Sequence, residues 1–387
     1  MIYLDNAATT KIDPQVLDAM MPYLTEQYGN AGTLYGLGRQ AKEAVEEARK
    51  SVAKLIGAEP EQIVFTSGGT EGNNMVFSMM SKYLKQHDKK GIVTSSIEHD
   101  SVLKAAQSLA DDQNFEVTQL PVDHHGDISL DYLRYKLAQN TGFVSVMYVN
   151  NEISVMNPVE LIAKMAHKAG ALFHTDCVQA LACRPINVKR IDCDFATISS
   201  HKIHGPKGVG AVYIKDKALF SPMIFGGAAQ EFGMRGGTEN VAGIVGFGKA
   251  CDLLSNADRL EEAAYIENLK SSFSKGLFEE LEEAGLKKSV KLNGGYSLYG
   301  TKSLNFRIDG VDAESLILML DPAGVCISAG SACNSREQVP SHVLKAIGLS
   351  DDAARSSFRV SFSKMNTISE VEIAGRVIGE CIITLRG

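Results

Sequence analysis

Long apolar runs are missing from this sequence. None approaches the length that crosses a bilayer, so no membrane association is expected. The N-terminus, Met1 to Asp5, has no basic stretch followed by an apolar one, which speaks against a secretory signal. No two of the seven cysteines (Cys177, Cys183, Cys193, Cys251, Cys326, Cys333 and Cys381) stand at CxxC spacing. Neither a zinc site nor a disulfide framework is indicated, and no metal is expected. An odd number of thiols in a long chain suits a reducing cytoplasm, with most thiols buried and room for one reactive one. Positive charge is not in excess either. A net charge of −7 argues against nucleic acid as the main ligand. Internal repeats and low-complexity segments are absent. What is present is ordinary globular composition, 44% hydrophobic and 22% charged, over 387 residues, enough for a large core and two domains.

The rest of the chain is organised around DFATISSHKIHGPKGVGAVYI, Asp194 to Ile214. Phe195 to Ile198 read as a buried strand, Gly205-Pro206 as a break, and Val209 to Ile214 as a second strand. Lys202 falls at the end of the first strand, between a histidine and a tight turn. Burial there would lower the lysine pKa and make the amine a nucleophile suited to condensing with an aldehyde. By itself the pattern also fits a loop lysine beside a turn.

Earlier in the chain, Asp13 reads as an N-cap with Pro14 at the first helical position, and Gly57 stops a second amphipathic helix. Ile63 to Thr66 is a strand, followed by Ser67-Gly68-Gly69-Thr70-Glu71 and a helix. Strand, glycine turn and helix start together suit an anion such as phosphate, or make an ordinary glycine-rich turn. Strands at Ile92–Thr94, Phe115–Leu120, Phe143–Val149 and Ala171–His174 alternate with helices. This rhythm predicts a doubly wound α/β domain, in which ligands gather at the carboxyl ends of strands. Ser67–Thr70, His99, Asn150–Glu152, Thr175-Asp176 and Ser199–Lys202 all fall at such ends. The glycine-rich loop Gly226–Asn240 reads as too polar and flexible for a core. A long helical region follows, from Val241 to about Gly285. The strands Ser303–Ile308, Val325–Ser328 and Ser357–Ser361, with helices Ala313–Leu320 and Ser369–Leu385, predict a smaller α+β domain. The expected division is residues 13–255 for the large domain, with 1–12 and 256–387 for the small one.

An amine for an aldehyde, a phosphate cradle and a carboxylate such as Asp176 to keep a pyridine nitrogen protonated are together the requirements of pyridoxal 5′-phosphate. Asp176 read alone is also a turn aspartate. Ten ordered motifs extend the pattern: YLDNAATT, TSGGTEGNN, EHDSVL, VNNEI, HTDCVQA, SSHKIHGPKGVG, RGGTENV, SAGSACNS, PSHVL and FRVSFS. On these the chain resembles, over nearly its whole length, the cysteine desulfurases of the NifS/IscS group, with the aspartate aminotransferase-like fold (fold type I) of pyridoxal-phosphate enzymes.

The resemblance implies that Lys202 holds the cofactor and moves the Cα proton, that Asp176 pairs with the ring nitrogen and Gln179 with the ring oxygen. It implies that His99 stacks on the ring, and that Gly69, Thr70, Ser199 and His201 bind the phosphate, with Thr238 reaching it from the second subunit of a homodimer. Asn151 and Arg359 would grip the carboxylate of L-cysteine. Arg359 has support from the residues as well: it alternates with Phe358, Val360 and Phe362 and so leaves its strand on another face. Cys333 would be the nucleophile and persulfide carrier. Its neighbours are small and without apolar periodicity, unlike those of Cys326, which reads as a buried structural cysteine. The implied acceptor is an iron–sulfur scaffold or a tRNA-thiolating enzyme. A selenocysteine lyase, another pyridoxal-phosphate enzyme of this fold, or a non-catalytic sulfur-relay protein are the competing readings. The chain departs from the group at Tyr35 (usually histidine), Phe232 (arginine), Gly236 (serine) and His204 (tyrosine), and its glycine loop is one residue longer. These departures are expected around the entrance and dimer loop more than at the chemistry. The chain ends soon after its last helix, from which weak or different scaffold docking is expected.

Overall fold

The computed structural model describes residues 1–219, 221–227, 230–295, 301–330 and 339–387. The chain opens with β1 (Ile2–Tyr3) and α1 (Pro14–Thr25). Asp13 caps α1, its carboxylate accepting the Gln15 N–H at 3.0 Å. In α2 (Gly36–Ile56) apolar residues recur on one face, and Gly57 ends it in a left-handed conformation, φ 72°. Both helix boundaries agree with the sequence signals.

Alternation then sets in: β2 (Ile63–Thr66), α3 (Gly69–Gln86), β3 (Gly91–Ser95), α4 (Asp100–Gln113), β4 (Glu116–Leu120), α5 (Leu130–Leu137), β5 (Thr141–Ser145), α6 (Val159–Lys168) and β6 (Leu172–Asp176). Two single-turn helices, α7 (Ala180–Cys183) and α8 (Val188–Ile191), lead to β7 (Phe195–Ser199) and β8 (Gly210–Ile214). These strands form a seven-stranded sheet in the order β2-β8-β7-β6-β5-β3-β4. Only β8 among them runs against the rest. One hydrophobic cluster covers the face toward α2, α6 and α9 (Val241–Asn256), and another the face toward α3 and α4. The order reverses between β3 and β5, which opens a crevice at their carboxyl ends.

The predicted strand Phe143–Val149 is shorter. After Ser145 the chain keeps bonding to β6, through Val146 N–H to His174 O and Tyr148 N–H to Asp176 O. On its other side, Met147 N–H turns to the buried Glu98 carboxyl at 2.9 and 3.0 Å, where a ladder bond to β3 would otherwise form. The predicted long helical region is also two helices. Asp258 caps α10 (Arg259–Glu283) by accepting Leu260 and Glu261 N–H groups, so α9 ends before it.

The C-terminal part contains β9 (Val290–Leu292), β10 (Ser303–Ile308), α11 (Ala313–Leu320), β11 (Val325–Cys326), α12 (His342–Ala346), α13 (Asp351–Arg355), β12 (Ser357–Ser361) and α14 (Ile368–Arg386). β12-β10-β9 is an antiparallel sheet, and β1 pairs in parallel with β11. Leu4 sits in the same core as α10, β10 and α14. The N-terminal segment therefore crosses from this core to the carboxyl edge of the large sheet. Among the described residues no helix is long and apolar enough to cross a membrane.

Candidate active site

A cavity of about 200 Å³ opens at that edge. Its wall includes Gly69, Thr70, His99, Asn151, Asp176, Gln179, His201, Lys202 and Arg359, brought together from the ends of β2, β3, β5, β6, β7 and from β12. Ser199 lies fully buried and outside the wall, and Thr238 is exposed on the surface. Cys333 lies outside the described residues.

Lys202 ends a single 3₁₀ turn that follows β7. Its Nζ donates to Ala7 O at 2.6 Å and Ala8 O at 2.7 Å, so the N-terminal segment fixes its direction. Gln179 Nε2 donates to the same Ala7 carbonyl at 2.8 Å. Asp176 is the last residue of β6 and nearly buried. One carboxylate oxygen accepts Val178 N–H at 2.9 Å and the other accepts Asn73 Nδ2 at 2.7 Å. His99 caps α4, its Nδ1 accepting Ser101 N–H at 3.1 Å. Beneath it Glu98 is fully buried, and desolvation pushes its carboxyl up to about 8. His201 is pulled down to about 4, by burial first and then by Lys202 and Lys207. It is therefore neutral at neutral pH.

On the opposite side, Arg359 is 1% exposed. One Nη donates to Asn151 O and the other to Asp5 Oδ1, both at 2.8 Å. Its Nε has no hydrogen-bond partner among the described residues. A guanidinium carries five N–H groups, so donors remain for a carboxylate.

The sequence matches the family described as Aminotransferase class-V over residues 2–373. The chain belongs to the class-V aminotransferase family. A cysteine desulfurase of Trichormus azollae is 41% identical over 388 residues, covering 100% of this chain and 94% of that protein. The cysteine desulfurase IscS of Methanosarcina thermophila is 40% identical over 385 residues, covering 100% and 93%. A solved NifS-like protein is 32% identical with a TM-score of 0.89, covering 98% of both chains.

Class-V aminotransferases of this kind depend on pyridoxal 5′-phosphate, and this chain's residues fit it. Ser199 Oγ is buried with no hydrogen-bond partner among the described residues, close to Gly68 at the start of α3. Gly68 there adopts φ 154°, and a Cβ on Gly210 would meet Gly68 Cα at 2.9 Å and Ile198 O at 2.7 Å. The backbone is thus drawn tight beneath a helix N-terminus that faces a hydroxyl, as an anionic phosphate requires.

The glycine loop differs from its sequence reading. Met234 and Glu231 are buried. Glu231 meets Arg49 through two hydrogen bonds at 2.7 and 2.9 Å and accepts Phe65 N–H at 2.7 Å. Arg49 lies 4.9 Å from the Phe232 ring centroid, and Arg235 pairs with Glu71 at 2.9 Å. The loop is therefore pinned to the rest of its own chain. His204 is not at the entrance: it is buried, with Nδ1 on Lys11 O at 2.9 Å. Tyr35 is exposed at the start of α2. Cys326 is only partly buried.

Sequence reading passed over Asn73, Ser101, Asp5 and the Ala7 and Ala8 carbonyls. For Asn73 a signal existed: it follows Gly69 and Thr70 by four and three residues, so one helix face carries all three.

Proposed function

We propose that this class-V aminotransferase is a cysteine desulfurase, taking the sulfur of L-cysteine and leaving L-alanine. The observation that carries the reading is the convergence of Lys202, Asp176, His99 and Arg359 on one cavity, in a chain 40–41% identical to full-length proteins named cysteine desulfurase. Pyridoxal 5′-phosphate, when bound, supplies the aldehyde that takes the substrate amine and the ring that draws electrons from Cα. Lys202 carries the cofactor and later moves the Cα proton. Asp176 would keep a proton on the ring nitrogen, Gln179 would hold the ring oxygen, and His99 would cover the ring and pass protons. Gly69, Thr70, Ser199 and His201 hold the phosphate. Asn151 and Arg359 bind the substrate carboxylate, with Asp5 orienting the guanidinium.

Cys333 is the sulfur acceptor. Its thiolate attacks the substrate sulfur, and an S–S bond forms as the C–S bond breaks. The carbon keeps the electron pair, takes a proton and becomes the methyl group of alanine. The reaction needs no outside oxidant, because the persulfide on Cys333 balances the reduction at carbon.

A homodimer fits this site. An open groove of about 830 Å³ adjoins the cavity, sharing Thr70, His99 and Ser101, and Thr238 is exposed to reach a second copy. The separate hydrophobic cores support a large unit at 13–255 and a small one at 1–12 and 256–387. A cytoplasmic enzyme passing sulfur to an iron–sulfur scaffold or a tRNA-thiolating enzyme is the setting that suits a labile persulfide.

The test is incubation of the cofactor-loaded protein with L-cysteine, quantifying alanine and locating persulfide by mass spectrometry. Alanine with a persulfide on Cys333, lost in Lys202→Ala and Cys333→Ser, is expected. A loaded protein that yields neither product overturns the proposal.

A further inference from the structure

We propose that Asn73 is a positioning residue that sets two groups of the site together: it orients the Asp176 carboxylate and, by aiming the Ser101 hydroxyl proton at Nδ1, holds the His99 ring with its proton on Nε2. The inference rests on the reading above, in which Asp176 and His99 face the cofactor.

Asp176 Oδ2 accepts from the Asn73 amide nitrogen at 2.7 Å. The amide oxygen in that position would repel it, so the amide nitrogen must be turned toward Asp176. That nitrogen has two hydrogens, and the second goes to Ser101 Oγ at 2.9 Å. With its oxygen accepting from Asn73, Ser101 directs its own proton to His99 Nδ1, 2.7 Å away. The backbone N–H of Ser101 also meets Nδ1, at 3.1 Å, and can only donate. Two donors converge on Nδ1, so the proton of the neutral ring sits on Nε2. Donation thus begins at Asn73 and runs one way to Asp176 and the other way, through Ser101, to His99.

The burial pattern favours this role over plain packing. Asn73 is 1% exposed, yet its Oδ1 has no hydrogen-bond partner among the described residues. A side chain chosen only to fill this space would not leave a buried carbonyl unmatched. Both hydrogens of the amide are used, and both are used toward the site.

The test uses the full chain loaded with pyridoxal 5′-phosphate, in wild type, Asn73→Ala, Ser101→Ala and the double variant. The dissociation constant of the cofactor and its visible absorption band are measured, so that cysteine turnover does not enter. Loss of a donor to a buried carboxylate weakens cofactor binding about tenfold in Asn73→Ala and moves the band. Ser101→Ala has a smaller effect, and the double variant is no worse than Asn73→Ala, because both belong to one chain. Nitrogen NMR of labelled histidine, with His99→Gln to assign the signal, shows a bare Nδ1 in wild type. In Ser101→Ala only the backbone N–H remains on Nδ1, which stays bare, and its nitrogen signal moves because one of its two donors is gone. If Asn73→Ala does not fold, Asn73→Leu, closer in volume and without a donor, gives the same readings. A protonated Nδ1 in wild type, or unchanged cofactor affinity in the Asn73 variant, overturns the proposal. Either failure is distinct from a failure to desulfurate cysteine, which these readings do not involve.

Discussion

Replacing Glu98 with glutamine should make the protein more stable at alkaline pH, and the size of the gain follows from where the carboxyl lies. Glu98 is fully buried between Ser95 Oγ and the Met147 N–H. Burial is the largest influence on it, with the Asp176 charge adding to the effect, and together they raise it from 4.5 to about 8. Between those values the folded protein keeps a proton that the unfolded chain has lost. Stability contributed by that proton is complete below the unfolded value and falls as pH rises through the folded one. The whole window is worth at most about 5 kcal/mol, and roughly 2–4 kcal/mol once relaxation around the charge is allowed. Glu98→Gln retains an acceptor for Met147 and cannot ionise. His174 and Cys177, also buried, are common to both proteins and cancel in the difference. Urea unfolding of the cofactor-free chains at about pH 5 and about pH 8.5 reads the effect. The variant should gain on wild type by at least about 2 kcal/mol between the two conditions. A difference that stays constant with pH would mean that Glu98 is ionised throughout, its charge held by the three donor contacts, and would refute the reasoning.

Three further outcomes are expected. Glu231→Gln should lower the urea midpoint by an amount worth about 2–3 kcal/mol, because buried Arg49 loses its buried partner and keeps only the partly exposed Glu46, while Arg49→Met combined with Glu231→Leu should cost less than the single change. Equal losses in the single and double variants would count against the pair as the anchor of the loop. Arg359→Lys should raise KM for L-cysteine roughly 10- to 100-fold with the cofactor absorbance unchanged, since an ammonium cannot reproduce the fork that spans Asp5, Asn151 and a substrate carboxylate. An unchanged KM would remove Arg359 from substrate binding. His201 is held down to about 4 against an ordinary 6.5, so the unfolded chain takes up a proton first as pH falls. Stability should therefore decline as pH drops through that window, and His201→Gln should flatten the decline in denaturation curves taken across it.

Sequence periodicity located most elements because burial has to follow it. β10 and β12 fall where their apolar alternation placed them, and the caps at Asp13 and Gly57 end their helices as their chemistry requires. Misreadings arose where a tertiary contact overrides a local pattern. The apolar run after Ser145 leaves the ladder because Glu98, distant in sequence, claims Met147 N–H. The glycine loop looked too polar to be buried because the partner of Glu231 lies on α2, and nothing local to the loop announces Arg49. β9 passed unnoticed: it is short, and Lys291 and Leu292 are exposed, so it lacks a buried face to mark it.

In the candidate site, residues at strand ends were legible, since the α/β alternation predicts where those ends gather. What supports them was less so. Asp176 is visible as the end of a strand, but that Asn73 orients it depends on how α3 lies against β6. Asp5 belongs to a motif that reads as an extended lead-in, and only the path of the N-terminal segment beside Arg359 gives it a role.

That path has a consequence for biosynthesis. Asp5 bridges to Ser361, Asn6 donates to Ser361 O, and Arg359 reaches back to Asp5. This segment thus has to wait for Ser361, 355 positions beyond Asn6, before it can settle. The large sheet can close while synthesis continues, but the two carbonyls that accept from Lys202 Nζ arrive only when Ala7 and Ala8 are in place. Contacts of such sequence separation form late. A nascent chain halted before residue 361 would carry a folded scaffold with an unfinished site, so competence to hold the cofactor should appear only once residues 359–361 have left the ribosome.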